Sequence, residues 1–156
     1  MQLTLHADYA LRVLLYLGSH PAGHVATTRQ ISTSYGISND HLVRVVRTLK
    51  AKGFVEVTAG RAGGISLAKE PHQIRLGDVV QQLESNLQLV ECFDLKTNTC
   101  PIVAACDLKP ILAQALSAFL QALNQHTLAD ILEDRRRNRL AKIFAVAGAR
   151  KELEGH

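Results

Sequence analysis

The strongest constraint on the fold lies between residues 27 and 67, where two short helical periods, a glycine turn and a β-period follow with almost no linker. Thr27 or Thr28 can cap a short helix carrying Arg29, Gln30 and Ile31, because a hydroxyl there accepts from an orphan first-turn amide. That helix stops at Tyr35-Gly36-Ile37-Ser38, where Gly36 can take the left-handed backbone of a tight helix-to-helix turn. Ser38 or Asn39 then caps a second helix to about Lys52, with Leu42, Val45, Val46 and Leu49 inward and Gly53 at its end. The period drops to two at Phe54-Val55-Glu56-Val57-Thr58. The turn from Ala59 to Gly64 holds three glycines, and Ile65-Ser66-Leu67 is the returning strand.

Two short helices joined by a tight turn, then a glycine-tipped hairpin, make a winged helix-turn-helix. The predicted fold class is mainly α with a small β-hairpin wing and a long dimerisation helix. Upstream, Ala7, Ala10, Leu11, Leu14 and Leu15 give a helical period over about Leu3–Leu17, broken by Pro21-Ala22-Gly23. Downstream, 74–84 resumes helical spacing, and 85–100 reads as loop with a short extended piece at 87–90. The longest amphipathic run is Cys106–Gln125, and Thr127 starts a further short helix. This divides the chain into a winged helix-turn-helix at 1–84, a cysteine loop at 85–106, a dimerisation helix with its short follower at 107–134, and a basic tail at 135–156. The tail holds Arg135, Arg136, Arg137 and Arg139, then a weakly apolar piece from Leu140 to Val146, and the sequence assigns it no role.

The chain is long enough to bury a core. Its 17.1 kDa implies about 7,800 Å² of surface when folded, with about 70% of the unfolded surface removed from water. No apolar run approaches the ~18 residues of a membrane span. The N-terminal residues lack a basic patch followed by an apolar stretch, so the expectation is a soluble, cytoplasmic protein without a membrane partner. Charge is uneven: residues 1–75 carry nine Lys/Arg and four acids, net +5, whereas 76–156 carry nine basic and ten acidic side chains, net −1. The first half therefore suits a polyanion.

The second helix of the pair is slim enough for a major groove, with its N-terminal side chains facing base edges. That end carries Ser38, Asn39, His41 and, a turn on, Arg44. Asn pairs bidentately with adenine and Arg with guanine. Arg47, Lys50 and Lys52 lie further along, where phosphates are the expected target. Thr28, at the start of the first helix, is counted with them. Arg61 sits between glycines at the hairpin tip and suits a minor groove. A three-helix core with a hairpin also serves as a protein-binding module; the +5 charge favours double-stranded DNA. The run at 106–125 is too apolar to stand alone on a surface. It points to a homodimer on a palindromic site, with half-sites about one helical turn, ~34 Å, apart.

The only cysteines are Cys92, Cys100 and Cys106, spaced C-x7-C-x5-C within fifteen residues. The spacing lacks the C-x2-C knuckle of structural zinc sites, and an odd count argues against a disulfide framework. The flanking histidines, His72 and His126, are distant. Three soft thiolates suit iron–sulfur chemistry with a fourth ligand from elsewhere. Redox-sensing thiols, a zinc-stabilised interaction module, three unrelated thiols and a cluster-carrying electron-transfer protein stay open. No nucleophile elbow, phosphate loop or paired-carboxylate motif argues for an enzyme.

Five segments carry a resemblance. They are Met-Gln-Leu-Thr with Asp8-Tyr9-Ala10-Leu11-Arg12; Tyr35 through Leu42; Gly60-Arg61-Ala62-Gly63-Gly64-Ile65; Ile74-Arg75-Leu76-Gly77-Asp78-Val79-Val80; and Thr127-Leu128-Ala129-Asp130-Ile131-Leu132. Over about residues 1–134 the chain resembles the winged-helix iron–sulfur transcriptional regulators, a family that includes IscR and NsrR. It is most similar to the nitric-oxide-sensing repressors among them. The resemblance implies that Cys92, Cys100 and Cys106 hold an iron–sulfur cluster, 4Fe–4S preferred and 2Fe–2S open. Lys109 stands where the cluster-homeostasis regulators have a histidine ligand, a departure that favours the nitric-oxide sensors. In those, an aspartate of the first helix completes the coordination from the opposite subunit, and Asp8 matches that place with Arg12 beside it. By spacing alone, Asp8 and Arg12 are an ordinary i,i+4 ion pair. The implied function is a repressor that releases its operator on nitrosylation, with an iron–sulfur-status or redox regulator of the same family as the alternative.

Overall fold

The computed structural model describes residues 2–60 and 63–154, and their side chains except those of Asp134 and 149–154. Among these residues seven α-helices and one hairpin follow in the order α1 Leu5–Gly18, α2 Thr28–Tyr35, α3 Asn39–Ala51, β1 Val55–Thr58, β2 Gly64–Leu67, α4 Leu76–Leu83, α5 Leu108–Asn124, α6 Leu128–Ile131 and α7 Asp134–Glu154. Single 3-10 turns lie at Pro71–Gln73, Glu91–Phe93 and Val103–Ala105. This is the mainly helical, hairpin-bearing class that the sequence predicts.

Local chemistry explains the helix starts. The Thr4 hydroxyl accepts from the Ala7 amide at 3.2 Å and opens α1. Of the two threonines that could begin α2, Thr27 is the cap, in a reciprocal capping box with Gln30. Gly36 closes α2 with φ 68°, and the Ser32 hydroxyl donates to the Ile37 carbonyl at 2.6 Å, fixing the turn into α3. Ser38 occupies the cap position of α3, but its side chain makes no capping bond.

Ala7, Ala10, Val13 and Leu14 of α1, Ile31 of α2, and Leu42, Val45 and Leu49 of α3 share one buried core with Val55 and Ile65 of the hairpin. β1 and β2 pair antiparallel with Val57 opposite Ile65. The hairpin is anchored to the chain ahead of α2, because Ala26 and Ile65 exchange backbone hydrogen bonds at 2.9 and 2.7 Å. A side chain at Gly64 would strike the Ala26 carbonyl, so this approach requires glycine.

The chain downstream of 84 returns to the same core. Arg75 and Thr127 form an isolated bridge, and Leu128 and Leu132 are buried against α1, where a side chain at Gly18 would run into Leu132. α4 and α5 touch at Gly77, whose neighbour Asp78 donates its amide to the Asn124 side chain at 2.9 Å.

Two expectations need correction. Residues 87–90 form no strand; bends lead into the 3-10 turn at Glu91. The basic tail, for which the sequence predicts no element, is helical: α7, at 21 residues, is longer than the 17 residues of α5. Leu140, Phe144 and Ala147 recur at helical spacing, and Phe144 is buried in the core between the rings of Tyr16 and Tyr35, each centred 5.0 Å away. By contrast, α5 buries no residue at all. Leu108, Ile111, Ala115, Ala118 and Ala122 are exposed along one stripe with 3–4 spacing, the spacing of a helix-to-helix seam. The chain exposes 10265 Å², about a third more than a compact monomer of this mass.

Candidate nucleic-acid interface and cysteine loop

The core decides which face of α3 is outward. Leu42, Val45, Val46 and Leu49 point in, and Ser38, Asn39, His41, Arg44, Arg47 and Lys50 are exposed. The structure thus brings the expected reading residues of α3 to one surface, with the His41 ring 6.2 Å from that of Tyr9 on α1. Thr28 lies at the first position of α2, half-buried. Lys52 follows α3 as its C-terminal cap. Arg61 lies outside the described residues. Two exposed residues of this face were missed: Asp40, in the first turn of α3, and Val43, 39% exposed. The helical spacing of α3 already placed both outward. Asp accepts from cytosine and a valine methyl packs on thymine, so both belong to the base-reading repertoire. Asp40 also complements the positive end of the α3 dipole.

The cysteine loop is shaped by short polar turns. The Asp94 carboxylate accepts from the Lys96 amide at 2.9 Å and the Thr97 hydroxyl at 3.0 Å. The backbone bond, then the hydroxyl, stabilises the ionised form and holds its pKa below the ordinary aspartate range. Asn98 accepts from the Cys100 amide at 3.1 Å. Cys92 sits in the turn Glu91–Phe93, and Cys106 caps the turn Val103–Ala105, two residues ahead of α5. All three thiols are free and half-buried. As a donor set they fit an iron–sulfur cluster: three soft sulfurs on one segment, none tied in a disulfide. They are not gathered, however; among the described residues no three Cys, His, Asp or Glu side chains are placed to hold a metal.

Asp8 lies in the first turn of α1. Its carboxylate takes both arms of Arg12, Nε at 3.1 Å and Nη2 at 2.7 Å. The ion pair expected from i,i+4 spacing is present. The Arg12 guanidinium also lies 5.7 Å from the Tyr9 ring and 5.9 Å from that of Tyr35. The Tyr35 hydroxyl donates to the Arg12 carbonyl at 3.0 Å, and burial pushes its ionisation well above the ordinary phenol range.

A reading helix with a basic outward face, a turn closed by a left-handed glycine and an anchored hairpin define the class of winged-helix transcription factors. The Rrf2 family model, described as an iron-dependent transcriptional regulator, matches residues 3–134. Over 132 residues the chain is 48% identical to the HTH-type transcriptional regulator NsrR of Shouchella clausii, covering 85% of this chain and 89% of that protein. Two solved structures share the fold. IscR of T. potens has a TM-score of 0.68 at 24% identity, over 86% of this chain and 88% of its own. CymR, the global cysteine regulator of B. subtilis, has a TM-score of 0.65 at 21% identity, over 85% and 96%. The chain belongs to the Rrf2 family; it is a transcriptional regulator, not an enzyme. Helix α7 lies beyond the matched segment. Among the described residues no helix is long and apolar enough to cross a membrane.

Proposed function

We propose that this regulator is a homodimeric repressor that binds palindromic operator DNA through α3 and the hairpin and releases it in response to nitric oxide. One observation carries the reading. The cysteine segment ends two residues before α5, and among the described residues nothing covers the apolar stripe of α5. A change of shape in the loop therefore acts directly on the element that would pair the subunits.

Cys92, Cys100 and Cys106 would hold the cluster, in a four-iron form, with Asp8 of a second subunit as fourth ligand. Bound there, the cluster supplies one oxygen-ligated iron corner, the weak position open to nitric oxide. Asp8 is 37% exposed, and each carboxylate oxygen keeps a free lone pair beyond its bond to Arg12. Arg12 holds the carboxylate in place. The tie from the loop of one subunit to α1 of the other fixes the separation of the two α3 helices. A tenfold change in affinity needs only ~1.4 kcal/mol between tied and untied dimers, so losing one ligand bridge is enough.

Titrating nitric oxide anaerobically into the brown protein on labelled operator tests this. Release should track the loss of visible absorption near ~400 nm. Unchanged binding after the absorption has gone would refute it. On the DNA side, Arg44→Ala and His41→Ala should each weaken the operator by about 1–3 kcal/mol, roughly 5–150-fold, with Arg44→Ala relaxing preference at one base pair. Arg47→Ala should weaken all sequences evenly and reduce the salt slope by about one. Equal operator affinity for all three would place the reading face elsewhere.

A further inference from the structure

A cavity of about 420 Å³ opens between the end of α1, the base of the hairpin and the start of α7. Its walls bring together His20 and His24 from the loop after α1, Ser66 and Lys69 from the hairpin's end, and Arg137 from α7, with Glu70 as the one carboxylate among the described side chains. Arg137 Nε is buried and has no hydrogen-bond partner among the described residues. A desolvated guanidinium nitrogen without an acceptor is costly, and a native structure that keeps one points to a group that completes it. The carbonyl end of α1 does not do so. The Ser19 amide bonds to the Leu15 and Tyr16 carbonyls, and the Ser19 hydroxyl and His20 ring both reach that of Tyr16, at 2.7 and 2.8 Å.

The histidines are built into a column. His20 lies 4.7 Å from the Tyr16 ring, and His24 stacks on His20 at 4.1 Å and 11°. A carbonyl only accepts, so His20 Nδ1 carries its proton and Nε2 is left for a second one. Burial first, and then His20, make His24 harder to protonate than a free imidazole. The Lys69 ammonium is held 5.5 Å from the Phe54 ring.

We infer that this cavity binds a small free anion of the phosphate class, with Arg137 and Lys69 as its fixed cations and His20 and His24 as donors that take up protons as it enters. Arg suits this role because its planar fork matches tetrahedral and carboxylate oxyanions. The volume lies within the range of small-ligand sites. Occupancy would join α7 to the hairpin base. Burial already makes His24 harder to protonate, so the proton it gains on binding is lost again as pH rises and affinity should fall with it; Glu70 is the opposing charge among the described side chains.

The probe is inorganic phosphate with the full chain, against sodium chloride of equal ionic strength. With a Kd near ~1 mM, about 10 mM phosphate should raise the melting midpoint by roughly 3–6 °C, more near pH 6 than near pH 8. Arg137→Gln and Lys69→Gln should each lose most of that rise while keeping operator affinity in phosphate-free buffer. Lys69→Gln keeps the test valid if Arg137→Gln fails to fold. No rise with phosphate, or an equal rise in a folded variant and the parent, overturns the site. So does a loss of operator affinity in these variants without any response of the parent to phosphate, which would assign the cluster to a DNA phosphate.

Discussion

Ile111→Glu is expected to split the proposed homodimer and to lower operator affinity at least a hundredfold. The exposed stripe Leu108, Ile111, Ala115, Ala118 and Ala122 has large residues at one end and alanines along the rest, a pattern that lets a second copy of α5 approach closely. In a two-fold seam each substitution appears twice. A carboxylate buried without a cation there costs about 3 kcal/mol or more, over two orders of magnitude in dimer affinity. A monomer also brings only one α3 to a palindrome and forfeits the second half-site. Sedimentation velocity and gel shifts on the same samples check both effects. Gln121→Glu is the control, since it adds the same charge to the same helix off the stripe. A dimeric Ile111→Glu that still binds operator would remove α5 from the interface.

Phe144→Ala should free α7 from the rest of the chain and remove about 3–5 kcal/mol from its docking. The Phe144 ring is 6% exposed and touches two aromatic neighbours, Tyr16 of α1 and Tyr35 of α2. Alanine would leave a ring-sized void between two phenols that cannot close over it, because the Tyr35 hydroxyl is bonded to the Arg12 carbonyl. Hydrogen exchange reads the result: amides of α7 should lose protection while those of α1 and α3 largely keep theirs. Equal protection in α7 before and after the change would show that the ring does not hold the helix.

These two helices mark the boundary of what was legible. The helix pair, its glycine turn and the hairpin could be read directly. Thr27, Gly36 and the alternation from Phe54 act through neighbours a few residues away, so their signals sit in the local sequence. The outward face of α3 followed from the same spacing that buries Leu42, Val45 and Leu49. In the sequence α7 reads as a basic tail, because its first turns are crowded with arginines that mask the spacing of Leu140, Phe144 and Ala147. The partners of Phe144 lie more than a hundred residues earlier, and no local pattern announces them. The cavity at Arg137 was invisible for the same reason, since it draws on three separated segments.

The sequence by itself determined the local vocabulary: which segments coil, where they turn, which thiols share a loop and where positive charge accumulates. Only the tertiary structure decided that Leu128, Leu132 and Phe144 close over α1 while the apolar stripe of α5 stays uncovered among the described residues. The reason is that burial is a competition for limited core surface among segments far apart in the chain, and periodicity shows that a stripe wants covering without showing which surface wins it.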